Sequence, residues 1–412
     1  MKRLKHLLIL GGGHAGSSAA LAAANQRAQL KKDKSVKITL IDKSLNLTIR
    51  PRLYEYDLED TQVPLKSFLV LIDVHVLTSK IIAIDLLNQE ILCDLSNRKE
   101  RIKYDALVVA LGSQLIHEGI RGIQLTHNID SFEAAKQFRD ALTAYLLTNQ
   151  EACRIAILGG GITGLELATE LPITVKKIAQ RYKTDFPQPI VYLLDRHEVA
   201  KNAGLAIEAP IQEALDRAKV HCIDHASISE IKANEVIYNE TKRLEVDIIV
   251  STLGLRANNL TNQLSLPKDQ LGRLYVNDYL QLPGHANCFS AGDIAHAIPA
   301  PDHEPIMSCQ QGRPQGRYAG YNAVSFLFDK PLAAYSQPNY VTCIDLGEFG
   351  AVYTEGWNRR LVKSGAEAKK IKQHINQDRI YPPNSSNKQV LLEAGHLEFI
   401  TPLSSMSEKS KK

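Results

Sequence analysis

Two glycine-rich turns of one pattern, Gly11-Gly-Gly-His-Ala-Gly16 and Gly159-Gly-Gly-Ile-Thr-Gly164, hold the residues of this 412-residue chain best suited to chemistry. Each follows a short apolar run, His6–Leu10 or Arg154–Leu158, and leads into residues with helical spacing, Ser17–Ala24 or Leu165–Leu171. A lone GxGxxG says little, but one lying between a strand and a helix reads as a phosphate cradle. In that role Gly11 and Gly159 permit a tight turn, and Gly13 and Gly161 let the backbone approach a pyrophosphate. Gly16 and Gly164 let helix and strand close up. The free N–H groups of the helix start, with His14, Ala15, Ile162 and Thr163 in the first turns, then meet the phosphates.

An acid ends the next apolar run in both places: Asp42 after Val36–Ile41, with Lys43 beside it, and Asp195 after Ile190–Leu194. A carboxylate there accepts hydrogen bonds from a ribose diol. Asp195 would also repel a 2′-phosphate and so favours NADH over NADPH, while Arg196 and His197 directly after it work against that preference. Taken singly, these glycines read as turns and these acids as strand ends; two copies in register speak for binding. Two dinucleotide sites imply two cofactors meeting face to face. A flavin with a nicotinamide is the pairing in which one ring donates hydride and the other accepts it.

The elements that must position these residues form a duplicated strand–turn–helix–strand unit. That predicts an α/β fold with a parallel sheet in each half: two Rossmann-like dinucleotide-binding domains plus a C-terminal region. Strands are expected to close on Gly112 (Lys103–Leu111) and on Gly254 (Asp247–Leu253), and a short one at Asn287–Ala291 before Gly292-Asp293. Helices are expected at Phe132–Leu147 and Arg317–Leu327. From Pro331 irregular strands and a basic segment follow, and Ser404–Lys412 is expected to be a disordered tail.

Further motifs accompany the cradles: Arg50-Pro-Arg-Leu-Tyr54, Asp105–Gly112, Gly159–Leu171, Thr252-Leu-Gly-Leu-Arg-Ala-Asn258 and Phe289-Ser-Ala-Gly-Asp-Ile-Ala295. Together they resemble the two-dinucleotide-binding-domain flavoproteins related to glutathione reductase, and within them the type II NADH:quinone oxidoreductases. The resemblance spans Leu7–Asn322. It implies FAD and NADH as cofactors and a FAD domain in two pieces, residues 1–115 and 270–330, around a NADH domain, 116–269. Residues 331–412 would be an interface, a membrane-docking or dimerisation region, and a homodimer stays open. By the same resemblance Arg50 and Pro51 lie near the flavin, and Ala110 and Gly112 where the backbone passes FAD. Gly254 passes NADH likewise, and Gly292 and Asp293 make the second FAD contact, the Asp on the ribityl chain. Glu166 would lie near both rings and influence proton and hydride transfer. From the residues alone it also reads as an exposed helix carboxylate at i,i+4 from Glu170.

The resemblance also implies a quinone as acceptor. The family's Ala-Gln-x-x-x-Gln stretch starts a helix whose positive end faces the flavin. Here Cys309-Gln-Gln-Gly-Arg-Pro-Gln315 matches it: Gln310 keeps the first glutamine, Pro314 replaces the second and Cys309 the alanine. Proline is tolerated in a helix's first turn, so the helix start is expected to shift. Gln310 and Gln311 also read as ordinary polar residues at a helix start. Two rival readings stay open: a reductase of a small redox protein such as rubredoxin or ferredoxin, and a nucleotide-sensing flavoprotein with an interaction role.

Composition excludes other classes. With 49 Lys+Arg against 45 Asp+Glu the net charge is +4, which gives nucleic-acid binding no support. The six cysteines are scattered without CxxC or metal-ligand spacing, so thiol–disulfide exchange and a metal site are not expected. Cys153 with Cys343 is the one pairing to weigh for sulfide:quinone chemistry, and Cys153 directly precedes a strand. The apolar run Leu7–Leu10 is too short for a secretory signal, and no run is long enough to span a membrane. A cytoplasmic protein is expected, with peripheral contact on the inner face of the cell membrane left open. The cations Arg359, Arg360, Lys363, Lys369, Lys370, Lys372 and Arg379 would face anionic headgroups, or make a solvated face. Leu391, Leu392, Leu397, Phe399 and Ile400 would anchor there, or pack on the domain; no pair of C-terminal amphipathic helices is evident.

Overall fold

The computed structural model describes residues 3–95, 98–116 and 119–397. Strand Lys5–Leu10 is central in a six-stranded sheet, pairing in parallel with Val36–Asp42 on one side and Ala106–Val109 on the other. Val74–Thr78 extends one edge, and His285–Ser290 returns from far along the chain to extend the other. Near-continuous apolar strands of this kind are those of a sheet covered on both faces. A second sheet, five strands and all parallel, runs in the order His127–Asn128, Ile248–Ser251, Arg154–Leu158, Ile190–Leu194, His221–Ile223. Each sheet has its own core, one around Leu7, Ile9, Ile38 and Phe289, the other around Phe138, Ile155, Leu167 and Leu193. Small antiparallel sheets, one of Lys80–Asp85, Glu90–Leu95 and Arg98–Lys103 and one within Ile228–Glu245, lie outside both.

Helices His14–Gln29 and Cys309–Leu327 cross at backbone contact over the first sheet. A Cβ on Gly316 would sit 2.0 Å from the Ala15 carbonyl oxygen, and one on Gly320 2.0 Å from that of Ala19. Glycine every fourth residue on one helix thus faces alanine every fourth on the other. The second helix starts at Cys309, capped by the Ser308 hydroxyl on the Gln311 N–H, with Pro314 inside it. The expected shift of its start does not occur. Pro314 removes the one bond its N–H would make to the Gln310 carbonyl, and the serine cap and glycine seam hold the turn regardless.

Residues 341–364 form a three-stranded antiparallel sheet, Val341–Asp345, Ala351–Glu355 and Arg360–Ser364. Two helices follow where the sequence shows none, Gly365–His374 and Lys388–Glu393. They are short, and too few apolar positions mark their inner faces. The region straddles both halves: Ile344, Leu346 and Val352 join the second core, and Ile380, Leu391 and Leu392 the first. The two leucines therefore pack on the domain, with Leu397 against the same core; Phe399, Ile400 and Ser404–Lys412 lie outside the described residues. Among the described residues no helix is long and apolar enough to cross a membrane.

Candidate functional site

The two glycine turns superimpose in their bonding. Gly11 and Gly159 adopt φ +102° and +111°, which glycine alone tolerates well. Asp42 Oδ2 accepts the Gly12 N–H at 2.6 Å and Oδ1 the Ser44 N–H at 2.6 Å. Asp195 repeats this with Gly160 at 2.7 Å and His197 at 2.8 Å. A Cβ on Gly16 would be 1.8 Å from the Gly11 oxygen, and one on Gly164 1.9 Å from that of Gly159, so both helices are pressed onto their turns. Burial pushes the Asp42 carboxyl up, against the two N–H donors that favour its charge.

Both cradles fit a dinucleotide. A Cβ on Gly13 or Gly161 would meet nothing within 4 Å, so the approach to the helix start is open. Neither helix has a capping side chain or an acid in its first turn, so its leading N–H groups remain available to an anion. In the first cradle His14 Nε2 is buried with no partner, and burial, then Arg313 and Arg50, pushes that imidazole down to about 3 and keeps it neutral. Ala15 is buried, Ile162 half-buried and Thr163 exposed beside the second cradle, and Lys43, Arg196 and His197 are exposed beyond the acids.

The first cradle is closed from across the sheet. A Cβ on Gly11 would be 2.2 Å from the Ala110 carbonyl oxygen, and one on Gly292 2.7 Å from Ala15 Cβ. Gly312, near the start of the Cys309–Leu327 helix, adjoins both Gly292 and Ala15, so two positive helix ends converge there. The Gly292 N–H donates to Gln315 Oε1 at 2.7 Å. Asp293 Oδ2 accepts Ser113 Oγ at 2.6 Å and meets Arg50 Nη1 at 3.4 Å, while Arg50 Nη2 pairs with Asp130. Burial opposes the Arg50 charge, but Asp130 and Asp293 outweigh it and raise its pKa. Pro51 sits in the 3-10 turn Arg50–Arg52. Gly112 precedes Ser113, and Gly254 accepts the Ile116 N–H through its carbonyl, so the two predicted backbone crossings are neighbours.

Glu166 is buried rather than solvated. Its Oε1 accepts the Asp345 N–H at 3.0 Å and pairs with Lys372 Nζ at 2.7 Å, both side chains 7% exposed. Burial pushes this carboxyl up against the pull of Lys372. Lys372 also donates to the Cys343 carbonyl, and the Tyr54 hydroxyl donates to Asp345 Oδ2 at 3.1 Å. Asp345 pairs with Lys369, and Glu170, one turn beyond Glu166, is pushed up to about 7 by burial and then by Asp345. Four parts of the chain meet in this cluster: the loop after Arg50, the second glycine helix, the C-terminal sheet and the helix Gly365–His374 after it. Ser113, Asp130 and Asp345 are absent from the sequence prediction, and Gln315 appears there only as the end of the Cys309–Gln315 stretch, with no role. Lys372 stood there only as one cation of a basic run.

The amide of Gln310 is engaged: Nε2 donates to the Val341 carbonyl at 2.6 Å and Oε1 accepts the Val341 N–H at 3.0 Å. It ties the C-terminal sheet to the helix start. Gln311 is buried with Nε2 unpartnered. The basic run splits between exposed and buried pairs, and Lys370 is exposed. Arg359 donates to the Ala203 carbonyl, Arg360 pairs with Glu355, Lys363 with Glu367, Lys369 with Asp345 and Lys372 with Glu166. All six cysteines are free, and burial pushes the Cys153 and Cys343 thiols up to about 12, away from the reactive thiolate. Among the described residues no cluster of His, Cys, Asp and Glu is arranged for a metal.

Comparison with known proteins agrees with this geometry. A family model described as pyridine nucleotide-disulphide oxidoreductase matches residues 5–316. An NADH dehydrogenase-like protein of Mycobacterium tuberculosis, MT1860, is 36% identical over 397 residues, 95% of this chain and 98% of that one. Demethylphylloquinone reductase NdbB of Synechocystis is 26% identical over 357 residues, 84% and 85% of the two chains. Among solved structures, NDH2 from Plasmodium falciparum in complex with NADH is similar with a TM-score of 0.77 at 15% identity, over 95% of this chain and 97% of that one, a likeness of fold.

Proposed function

The chain belongs to the pyridine nucleotide-disulphide oxidoreductase family, and we propose that it passes hydride from NADH to FAD and two electrons on to a quinone. It is an NAD(P)H oxidoreductase with FAD and NAD(H) as cofactors. Bound flavin supplies the two-electron chemistry between nicotinamide and acceptor. In this reading Gly11–Gly16, Asp42, Lys43, Arg50, Pro51, Ala110, Gly112, Gly292 and Asp293 hold FAD. Gly159–Gly164, Asp195 and Gly254 hold NADH.

The observation that carries the quinone reading is the buried Glu166–Lys372 pair. Converting a quinone to a quinol takes two electrons and two protons. Hydride brings the electrons and one proton, so the protein must deliver one more from water. Burial favours a proton on this carboxyl and the ammonium beside it opposes one, so Glu166 rests as the counter-charge of Lys372 and can take up that proton and pass it on. Gln310 acts by placement, fixing the helix start against Val341. The positive helix end beside Gly292 would favour negative charge on a flavin held there. NdbB is named a demethylphylloquinone reductase, in keeping with this reading. Lys369 and Lys372 pair with buried carboxylates, which takes two cations of the 359–379 run away from a docking surface for a redox protein.

An acceptor panel at fixed NADH tests it, comparing menaquinone and ubiquinone analogues, ferricyanide and protein carriers. Turnover with a quinone analogue at low and high salt alike is expected. Turnover with a protein carrier and none with either quinone would overturn it.

A further inference from the structure

We infer that Asp130 is a positioning residue for hydride transfer: through Arg50 it fixes the NADH-binding half against Asp293 on the flavin side. The inference rests on the NADH-to-FAD reading and goes beyond it to a residue outside both cradles.

Asp130 lies just before Ser131, which caps helix Phe132–Thr148 through the Ala134 N–H. The inner residues of that helix, Ala135, Phe138, Leu142 and Leu146, belong to the core of the second sheet. Asp130 is therefore rigidly part of the NADH half, and Asn128 Oδ1 accepts its N–H at 3.1 Å. Its carboxylate pairs with Arg50 Nη2. The other nitrogen of the same guanidinium, Nη1, donates to Ser113 Oγ at 3.1 Å and reaches Asp293 Oδ2 at 3.4 Å. One planar cation thus spans two carboxylates from opposite halves. Its planarity fixes direction as well as distance.

A second grip lies two turns along the same helix. Arg139, buried, donates to the backbone carbonyls of Tyr54 and Glu55. The loop from Arg50 to Glu55 is therefore held at both ends by one short stretch of the NADH half. The Arg50 and Asp130 side chains are 32% and 23% exposed, and ion pairs this wet add little to stability. Their leverage is on geometry. Hydride moves only between rings in near contact, and a misplacement of about 1 Å can cost on the order of 100-fold in rate.

The test uses FAD-loaded protein with Asp130→Asn, which keeps size and removes the charge, and Asp130→Glu, which restores it. Anaerobic stopped-flow reduction by NADH and by 4-deuterated NADH is followed, with amide deuterium exchange on the same samples. Expected for Asp130→Asn are flavin reduction slowed about 10–100-fold, a larger isotope effect, and FAD retention and NADH affinity within about twofold of wild type. Exchange should quicken about tenfold at residues 50–55 and stay unchanged at 159–164. Asp130→Glu should recover part of the rate. Wild-type rate, isotope effect and exchange in Asp130→Asn would overturn the inference, as would loss of FAD or NADH in proportion to rate. Failure of NADH to reduce the wild-type flavin would instead overturn the reading beneath it.

Discussion

A carboxylate that accepts two backbone N–H groups is held in one orientation, and Asp42 and Asp195 are held so at equivalent strand ends. Asp195→Asn keeps the size and loses both the charge that repels a 2′-phosphate and one of the two N–H bonds, since an amide offers a single acceptor oxygen. The ratio of kcat/KM for NADPH to that for NADH should then rise at least about tenfold in steady-state assays. Glu166→Gln leaves the Lys372 ammonium buried without its counter-charge, a loss of about 3–5 kcal/mol in urea unfolding, and Glu166→Gln with Lys372→Met should recover much of it. Glu170 gives a pH signature. The folded chain holds its proton up to about pH 7, whereas the unfolded chain releases it near the ordinary glutamate value. Its stabilising contribution is complete below that value and lost as pH rises to about 7, on the order of 3 kcal/mol. Glu170→Gln should flatten this decline between about pH 5 and pH 8. At this scale the sequence shows the cradles clearly, because glycine spacing is a local requirement. It hides Lys372 and Asp130, whose partners lie far along the chain. It also leaves open whether Glu166 faces water, which only the C-terminal sheet and the helix after it decide.

Helix His14–Gln29 and helix Cys309–Leu327 meet through glycine because no side chain fits between them. Gly316→Ala puts a methyl group against backbone, not against a flexible side chain, so one helix must move. The expected cost is about 1–3 kcal/mol in thermal unfolding. FAD retention on gel filtration should weaken alongside, since Ala15 and Gly312 flank Gly292. A Gly316→Ala protein as stable as wild type would contradict the crossing. The helix itself is half legible: Arg317–Leu327 has helical spacing, but Pro314 implies a shifted start, which the Ser308 cap does not allow. Parallel strands such as Ile190–Leu194 are legible from their continuous apolar character. Short helices such as Lys388–Glu393 are not, because six residues hardly repeat a period.

Across the whole molecule, the cradles sit on separate sheets while the C-terminal sheet contributes to the core of one and the chain after it to the core of the other. That arrangement lets Asp345 and Lys372 complete a cluster begun by Tyr54 and Glu166. The duplicated unit made both halves readable from sequence. The bridging role of residues 341–397 was not, because its cations look like a surface run until their partners are known. The central claim is that hydride passes between cofactors held by these two cradles. Anaerobic titration of the FAD-loaded protein with NADH tests it most directly. The account predicts that the visible flavin band bleaches with stoichiometric NADH and returns when a quinone analogue is added. A flavin that stays oxidised under excess NADH would contradict it.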